Sequence, residues 1–224
     1  AKYESDVLSL IEQLRPTHDY LLMTGGSMMY LDAVCKGIDD IPTIDDDTRQ
    51  LLKERYEREG LEPLLQELRL LDPEHYAIVD RRNPKRAIHA LEVCYTSGRT
   101  YTSYRMGARK TRDFRIVKIG LNRPREELFA RINQRVEQML ADGLIDEAKA
   151  LLPYRHLNAL NTVGYKEIHN YLDGTWTLEH AIEKMKKNTR DYAKKQLTWF
   201  KRDGEIHWFH PCQKEEILQF IRSL

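Results

Sequence analysis

Tyr20-Leu21-Leu22-Met23-Thr24-Gly25-Gly26-Ser27 is the stretch on which the fold class turns. Four consecutive apolar residues suit a short buried strand, and a Thr-Gly-Gly turn follows at once. Ser27 then stands as the N-cap of a helix over Met28–Lys36, which Gly37 stops. Upstream, residues 5–14 predict an amphipathic helix with Val7, Leu8, Leu10, Ile11 and Leu14 on one side, ended by Pro16. Helix, strand, glycine turn, helix is the order of an α/β domain with a mainly parallel sheet. The paired glycines would also let the backbone approach a phosphate, with free N–H groups at the helix start. Glycines serve tight packing equally well, and from the turn alone both readings stay open.

Moving outward, the pattern from 48 to about 97 is helical throughout. Leu51 and Leu52 recur with Tyr56, then Leu61, Leu64, Leu65 and Leu68 form a second stripe. A third helix spans 87–95, preceded by Asn83-Pro84 and closed by Gly98. Such a stretch between strands predicts an inserted all-helical domain over 48–110, within a discontinuous α/β core of 1–47 and 111–224. The sheet resumes at 114–121. Helices follow at about 125–141, 144–152, 164–173 and 178–202, then a strand at Ile206–Phe209 and a closing helix at 214–223. No internal repeat or low-complexity segment interrupts this order.

The chain has 224 residues, enough for one large domain or two small ones. Its 41% hydrophobic and 32% charged residues exclude global disorder. No apolar run approaches the roughly 20 residues of a membrane helix, and the first residues lack a signal-peptide pattern. Cys35, Cys94 and Cys212 are far apart and odd in number, as expected of reduced cytoplasmic thiols. His207 and His210 lie three apart on a strand-like segment without further ligands nearby, so no metal site is predicted there.

The net charge is only +1, yet it is unevenly spread. From 39 to 80 there are thirteen acids against five bases. From 81 to 115 there are ten bases against Glu92 and Asp113, and from 184 to 202 eight against Asp191. Two basic blocks in a neutral chain suit a polyanion, or two solvated faces. On the helix after Asn122-Arg123-Pro124, Leu128, Ile132, Val136 and Met139 make the apolar stripe, and Arg135 falls inside it with Arg131 beside it. A partly buried guanidinium needs a carboxylate or a phosphate, so Arg135 predicts either an ion pair or a bidentate phosphate contact. On the helix at 178–202, Ala181, Ile182, Met185, Tyr192, Gln196, Trp199 and Phe200 form one face. Lys187, Arg190, Lys194, Thr198 and Lys201 form the opposite one, suited to a nucleic-acid backbone, equally to a solvated face and less well to an anionic membrane surface. Thr162-Val163-Gly164-Tyr165-Lys166 sets an aromatic and a lysine at a helix start, able to touch an unpaired base. A core role for Tyr165 competes with that.

In order along the chain, these segments resemble the tRNA dimethylallyltransferases. The family pattern GGTxLY stands as Gly25-Gly26-Ser27-Met28-Met29-Tyr30, followed by Ile41-Pro42 and Arg49. Asp72-Pro73, then Asn83-Pro84-Lys85-Arg86-Ala87-Ile88-His89-Ala90-Leu91-Glu92 and Gly98-Arg99, match its next block. RIxxRxxxMl is Arg131 to Leu140, VGYxE is Val163 to Glu167, and TRxxAKRQxTWfr is Thr189 to Lys201. Six motifs in order are far more specific than any one.

The resemblance implies a P-loop NTPase-like core with an inserted helical domain that grips the anticodon stem-loop. It implies transfer of a dimethylallyl group from dimethylallyl diphosphate to N6 of the adenosine 3′ of the anticodon. Carried over by position, Arg135 is catalytic, holding the leaving diphosphate with Arg131, Gly25 and Gly26. Contacts to tRNA fall to Ser27, Arg49, Lys85, Arg86, His89, Asn161, Gly164, Tyr165, Lys166, Arg190, Lys194, Lys195, Gln196, Thr198, Trp199 and Lys201. Mg²⁺ is expected with the diphosphate, its main ligands lying in the family's N-terminal P-loop segment, GxTxxGK(S/T), which has no counterpart in these 224 residues. A monomer that binds RNA but transfers no prenyl group alone is therefore expected. The alternatives are a non-catalytic RNA-binding module and an isopentenyltransferase acting on free adenine nucleotides. Ser27 replaces the family's threonine, His89 an arginine, and Lys166 stands where arginine is common.

Overall fold

The structure, a computed structural model, describes residues 2–105, 107 and 110–224. It divides into two compact units, Ala1–Gly25 with Met29–Phe114, and Gly26–Met28 with Arg115–Leu224. Arg109 of the central basic block lies outside the described residues.

The first unit is helical: α1 (Lys2–Leu14), α2 (Met28–Lys36, its first residue grouping with the other unit), α3 (Asp46–Glu59), α4 (Leu61–Leu71), α5 (Pro73–Ile78), α6 (Pro84–Ser97) and α7 (Tyr101–Tyr104). Local chemistry sets each boundary. Asp45 caps α3, accepting from the Thr48 N–H at 2.7 Å, and Asp46 and Asp47 favour the positive helix start. Gly60, at φ +78° and ψ −169°, takes a backbone geometry open to glycine between α3 and α4. Leu52, Leu64, Leu68, Ala87, Ala90 and Leu91 are wholly buried and form the core of the helical stretch that the sequence predicts. Asp72 is 1% exposed and caps α5, accepting from the His75 N–H at 3.0 Å. It also accepts from the Thr102 N–H and hydroxyl at 2.7 Å each, which ties α5 to α7.

One expectation for this unit is refined and another corrected. The apolar side predicted for α1 is half-buried at Val7, Leu8, Ile11 and Leu14, whereas Leu10 is 52% exposed and the fully buried residue of the helix is Glu4. Glu4 pairs with Arg112 at 2.6 Å, and Arg112 also donates to the carbonyls of Val34 and Ala33 at 2.9 Å each. Polar anchoring thus adds to the apolar contact read from periodicity. The stretch at 20–23 is not a strand either. Tyr20 and Leu22 are 76% and 90% exposed, and the segment has no ladder partner among the described residues. A strand needs a hydrogen-bonded neighbour as well as an apolar run.

The second unit carries the sheet. β1 (Lys118–Leu121) and β2 (Ile206–Phe209) pair in parallel, with Lys118 opposite Ile206 and Leu121 opposite Phe209. β1 is shorter than the strand predicted at 114–121, because only these four residues find ladder partners. A Cβ at Gly120 would stand 2.6 Å from the Trp208 ring, so the indole fills the place of a side chain there. α8 (Arg125–Ala141), α9 (Leu144–Ala150), α10 (Tyr165–Leu172), α11 (Leu178–Phe200) and α12 (Lys214–Arg222) complete the unit. Val136, Leu144, Ala148, Ile168 and Met185 form its core. The chain is mixed α/β with a parallel sheet, as its sequence predicts.

His75 in the helical unit is 7% exposed, and neither ring nitrogen has a hydrogen-bond partner. Its ring meets Tyr101 edge-on at 4.7 Å. Burial holds this imidazole below the usual histidine pKa of 6.5; Asp72 opposes that shift, while Arg105 and His89 add to it. The unfolded chain therefore takes up a proton before the folded one does, and stability present above pH 6.5 drains away as pH falls below it. His75→Leu removes both the unpaired nitrogens and this linkage. Its melting temperature should differ least from the parent's at pH 8 and exceed it increasingly toward pH 5. Thermal unfolding across that range checks this; an equal pH slope in both proteins would refute it.

Candidate functional site

The residues singled out by sequence fall on both units, most of them on α8, the turn before α10, and α11. α8 begins after Pro124, with Glu126 and Glu127 in its first turn. Its row Phe129, Asn133, Glu137 faces a row of α11 read in reverse, Lys194, Arg190, Lys186. Arg190 donates to the Asn133 side-chain oxygen at 2.7 Å, and Lys186 pairs with Glu137 at 2.6 Å. The four-residue spacing of both rows is what places these contacts one above another. At the open end of the seam, Arg125, Arg190 and Lys194 stand 5.1, 5.9 and 5.6 Å from the Phe129 ring centre. Three cations thus gather over one ring. Asp191 accompanies Lys194 at 2.9 Å, and the ammonium holds that carboxyl below its usual pKa.

Arg131 and Arg135 both lie exposed on α8. The expected partial burial of Arg135 is therefore corrected. Burial on α8 centres on Ile132 and Val136 and leans toward Phe129, Asn133 and Leu140, where α11 packs. At 100° per residue Arg135 sits about a quarter-turn outside that face. Neither arginine forms an ion pair among the described residues, so the ion-pair alternative for Arg135 is not realised.

Of the stripe on α11, Lys187, Lys194, Thr198 and Lys201 are exposed, and Lys195 with them. The Thr198 hydroxyl donates to the Lys194 carbonyl at 2.9 Å, a bond within the helix. Trp199 is half-buried beneath Arg202, whose guanidinium lies 5.6 Å from the indole ring. The apolar face is anchored by Ala181 and Met185; Tyr192, assigned to it by sequence, is 44% exposed. Gln196 donates to the Gly26 carbonyl at 2.6 Å, and a Cβ on Gly26 would stand 2.3 Å from that amide nitrogen. In this turn a glycine makes room for a side chain. Ser27 and Gly25 are exposed.

Before α10, Gly164 adopts φ +107°, ψ −71°, a backbone available to glycine, and is itself buried. Tyr165 packs against the unit's core and donates its hydroxyl to Glu147 at 2.6 Å, an interaction that pushes the phenol pKa up. Asn161 and Lys166 are exposed.

In the helical unit, Arg49 is exposed with Asp46 at 3.5 Å. Lys85 and Arg86 are exposed in the first turn of α6, which contains no acid. Cations there oppose the helix dipole. His89, one turn on, bonds to Glu92 at 3.1 Å and meets Tyr101 edge-on at 5.7 Å. Among the described residues, no three His, Cys, Asp or Glu side chains converge as a metal ion requires. No helix among them is long and apolar enough to cross a membrane.

The profile of the IPP transferase family matches residues 1–203. The chain belongs to that family. It is 63% identical over 224 residues to tRNA dimethylallyltransferase 1 of Phocaeicola vulgatus, covering 100% of this chain and 75% of the relative. The crystal structure of the tRNA isopentenylpyrophosphate transferase of Bacillus halodurans is similar at TM-score 0.65 and 34% identity, covering 99% of this chain and 72% of that one. A eukaryotic dimethylallyltransferase acting on tRNA shares the fold at TM-score 0.77 and 22% identity, over 99% of this chain and 59% of that one.

In this IPP transferase, sequence reading missed Arg125, Phe129 and Asn133, although their four-residue spacing is visible. It treated Gln196 as free to reach RNA, whereas its amide is spent on Gly26. Gly26→Ala must displace that amide, and each of Gly26→Ala and Gln196→Ala should lower unfolding free energy by about 1 kcal/mol. The double variant should lose little more than either single one in urea titrations. Fully additive losses would show that the contact contributes nothing.

Proposed function

We propose that the chain belongs to a tRNA dimethylallyltransferase, the activity its relatives are named for: it binds the anticodon stem-loop of tRNA and, together with the family's P-loop segment, transfers a dimethylallyl group from its diphosphate to the N6 of the adenosine 3′ of the anticodon. The observation that carries this is family membership across residues 1–203 together with the cations gathered over Phe129. Like charges are held close where an external anion can share them. On α6, Lys85 and Arg86 sit unfavourably for the helix alone and favourably for a phosphate backbone. Residues 48–110 serve as the inserted tRNA-binding domain, and the protein works as a cytoplasmic monomer.

In the reaction the N6 nitrogen forms a bond to the allylic carbon while the carbon–oxygen bond to diphosphate breaks, and N6 gives up a proton. Charge grows on the departing diphosphate. Arg135, exposed and without an ion pair, presents a planar fork to two of its oxygens, with Arg131 one turn away. Mg²⁺ accompanies the diphosphate; the described residues provide no ligand set of their own for it. Lys187, Arg190, Lys194, Lys195 and Lys201 track the RNA backbone, with Ser27, Asn161, Gly164, Tyr165, Lys166, Thr198 and Trp199 beside them. Gly25 and Gly26 would approach the diphosphate, and Arg49, Lys85, Arg86 and His89 hold RNA from the helical unit.

Anisotropy titrations with a fluorescent anticodon stem-loop RNA between 50 and 200 mM salt test this reading. Affinity should fall linearly on a log–log plot, and Lys194→Ala should flatten the slope by up to about one. In the enzyme carrying the family's P-loop segment, Arg135→Ala should leave that binding nearly unchanged while slowing prenyl transfer by roughly 100-fold. Salt-independent binding, or equal losses of affinity and turnover in Arg135→Ala, would overturn the respective assignments.

A further inference from the structure

One carboxylate in the second unit is used by no step above. Glu167 is 2% exposed, the third residue of α10, and belongs to the larger side chains that are wholly enclosed. One oxygen accepts from the Gly164 N–H at 2.7 Å, reaching back across the first turn of its own helix. This is the half of a capping box that a glycine cap permits. The other oxygen accepts from the Asn188 side-chain amide of α11, also at 2.7 Å. Both partners are donors, so only a group offering two acceptors fits between them. Leaving either donor unmet in a buried place is costly.

The two ends of this bridge lie where RNA contact is proposed. Gly164 holds the strained turn that presents Tyr165 and Lys166. Asn188 precedes Arg190 by two residues and Lys194 by six, on the part of α11 whose rotation sets where those cations point. Glu167 itself is enclosed and touches no ligand. We infer that Glu167 is a positioning residue: through Gly164 and Asn188 it fixes the turn before α10 and the cationic row of α11 in one mutual register for RNA. The inference rests on the RNA-binding reading above.

Exchange of chemistry across the bridge tests it. Asn188→Asp sets two carboxylates against each other and should weaken stem-loop RNA binding roughly tenfold or more. Glu167→Ala, which strands both donors, should do the same. The pair E167Q/N188D restores an acceptor for Gly164 and a donor–acceptor match to α11, with the charge moved to the other helix. It should recover affinity to within about threefold of the parent. Circular dichroism melts accompany each titration, so that an unfolded single variant is recognised and the folded double variant decides. Folded single variants that bind like the parent would refute the positioning role. So would a folded double variant that binds no better than N188D. Failure of the parent itself to bind stem-loop RNA would overturn the functional reading instead.

Discussion

A carboxylate taken out of water must have its oxygens filled by donors, and three times in this chain that demand decides the architecture. Glu4, Asp72 and Glu167 are 6%, 1% and 2% exposed. Each is satisfied by partners from another element: Arg112 for Glu4, Thr102 for Asp72, Asn188 for Glu167. Apolar burial brings helices together without direction. These acceptors select one arrangement among the many that would bury the same leucines, since a shifted helix leaves a donor or an oxygen unmet.

The same economy shapes the cationic surface. α11 spends one face on the core through Ala181 and Met185 and a second row on α8 through Lys186, Arg190 and Lys194. Its remaining exposed cations are held in place by that packing. The ring of Phe129 matters because its negative face attracts the guanidinium and ammonium groups and offsets part of their mutual repulsion. A basic stripe on an unpacked helix would have the same composition and far less order.

Much of this was legible in the sequence, and the parts that were not have a common cause. Helix periodicity located the helical region from 48 to about 97 and the long helix at 178–202, close to the observed Asp46–Ser97 and Leu178–Phe200, because spacing within one segment carries that signal. The two strands at Lys118–Leu121 and Ile206–Phe209 were readable from short apolar runs, though not that they pair with each other. The run at 20–23 has the same signal and forms no ladder, since strand formation depends on a neighbour that no local pattern encodes. Arg135 was placed within an apolar stripe by the wheel, but the stripe's true centre is set by where α11 packs. Arg112 was one basic residue among ten in its block, and nothing near it in sequence points to Glu4. The family motifs did carry the function, because six in order are improbable by chance.

The Glu4–Arg112 pair also governs the order in which the first unit assembles. Its partners are 108 residues apart, against 21 for Glu167 and Asn188. Closing the longer loop costs roughly 1.5 kcal/mol more chain entropy. The helices from α3 to α6 gain their contacts over short separations and are expected to form before α1 docks. On the way back to the unfolded state, α1 is expected to leave before the leucine core opens. A protease probing the native protein should therefore find its earliest cut beside this helix, while the leucine core beyond it is still intact.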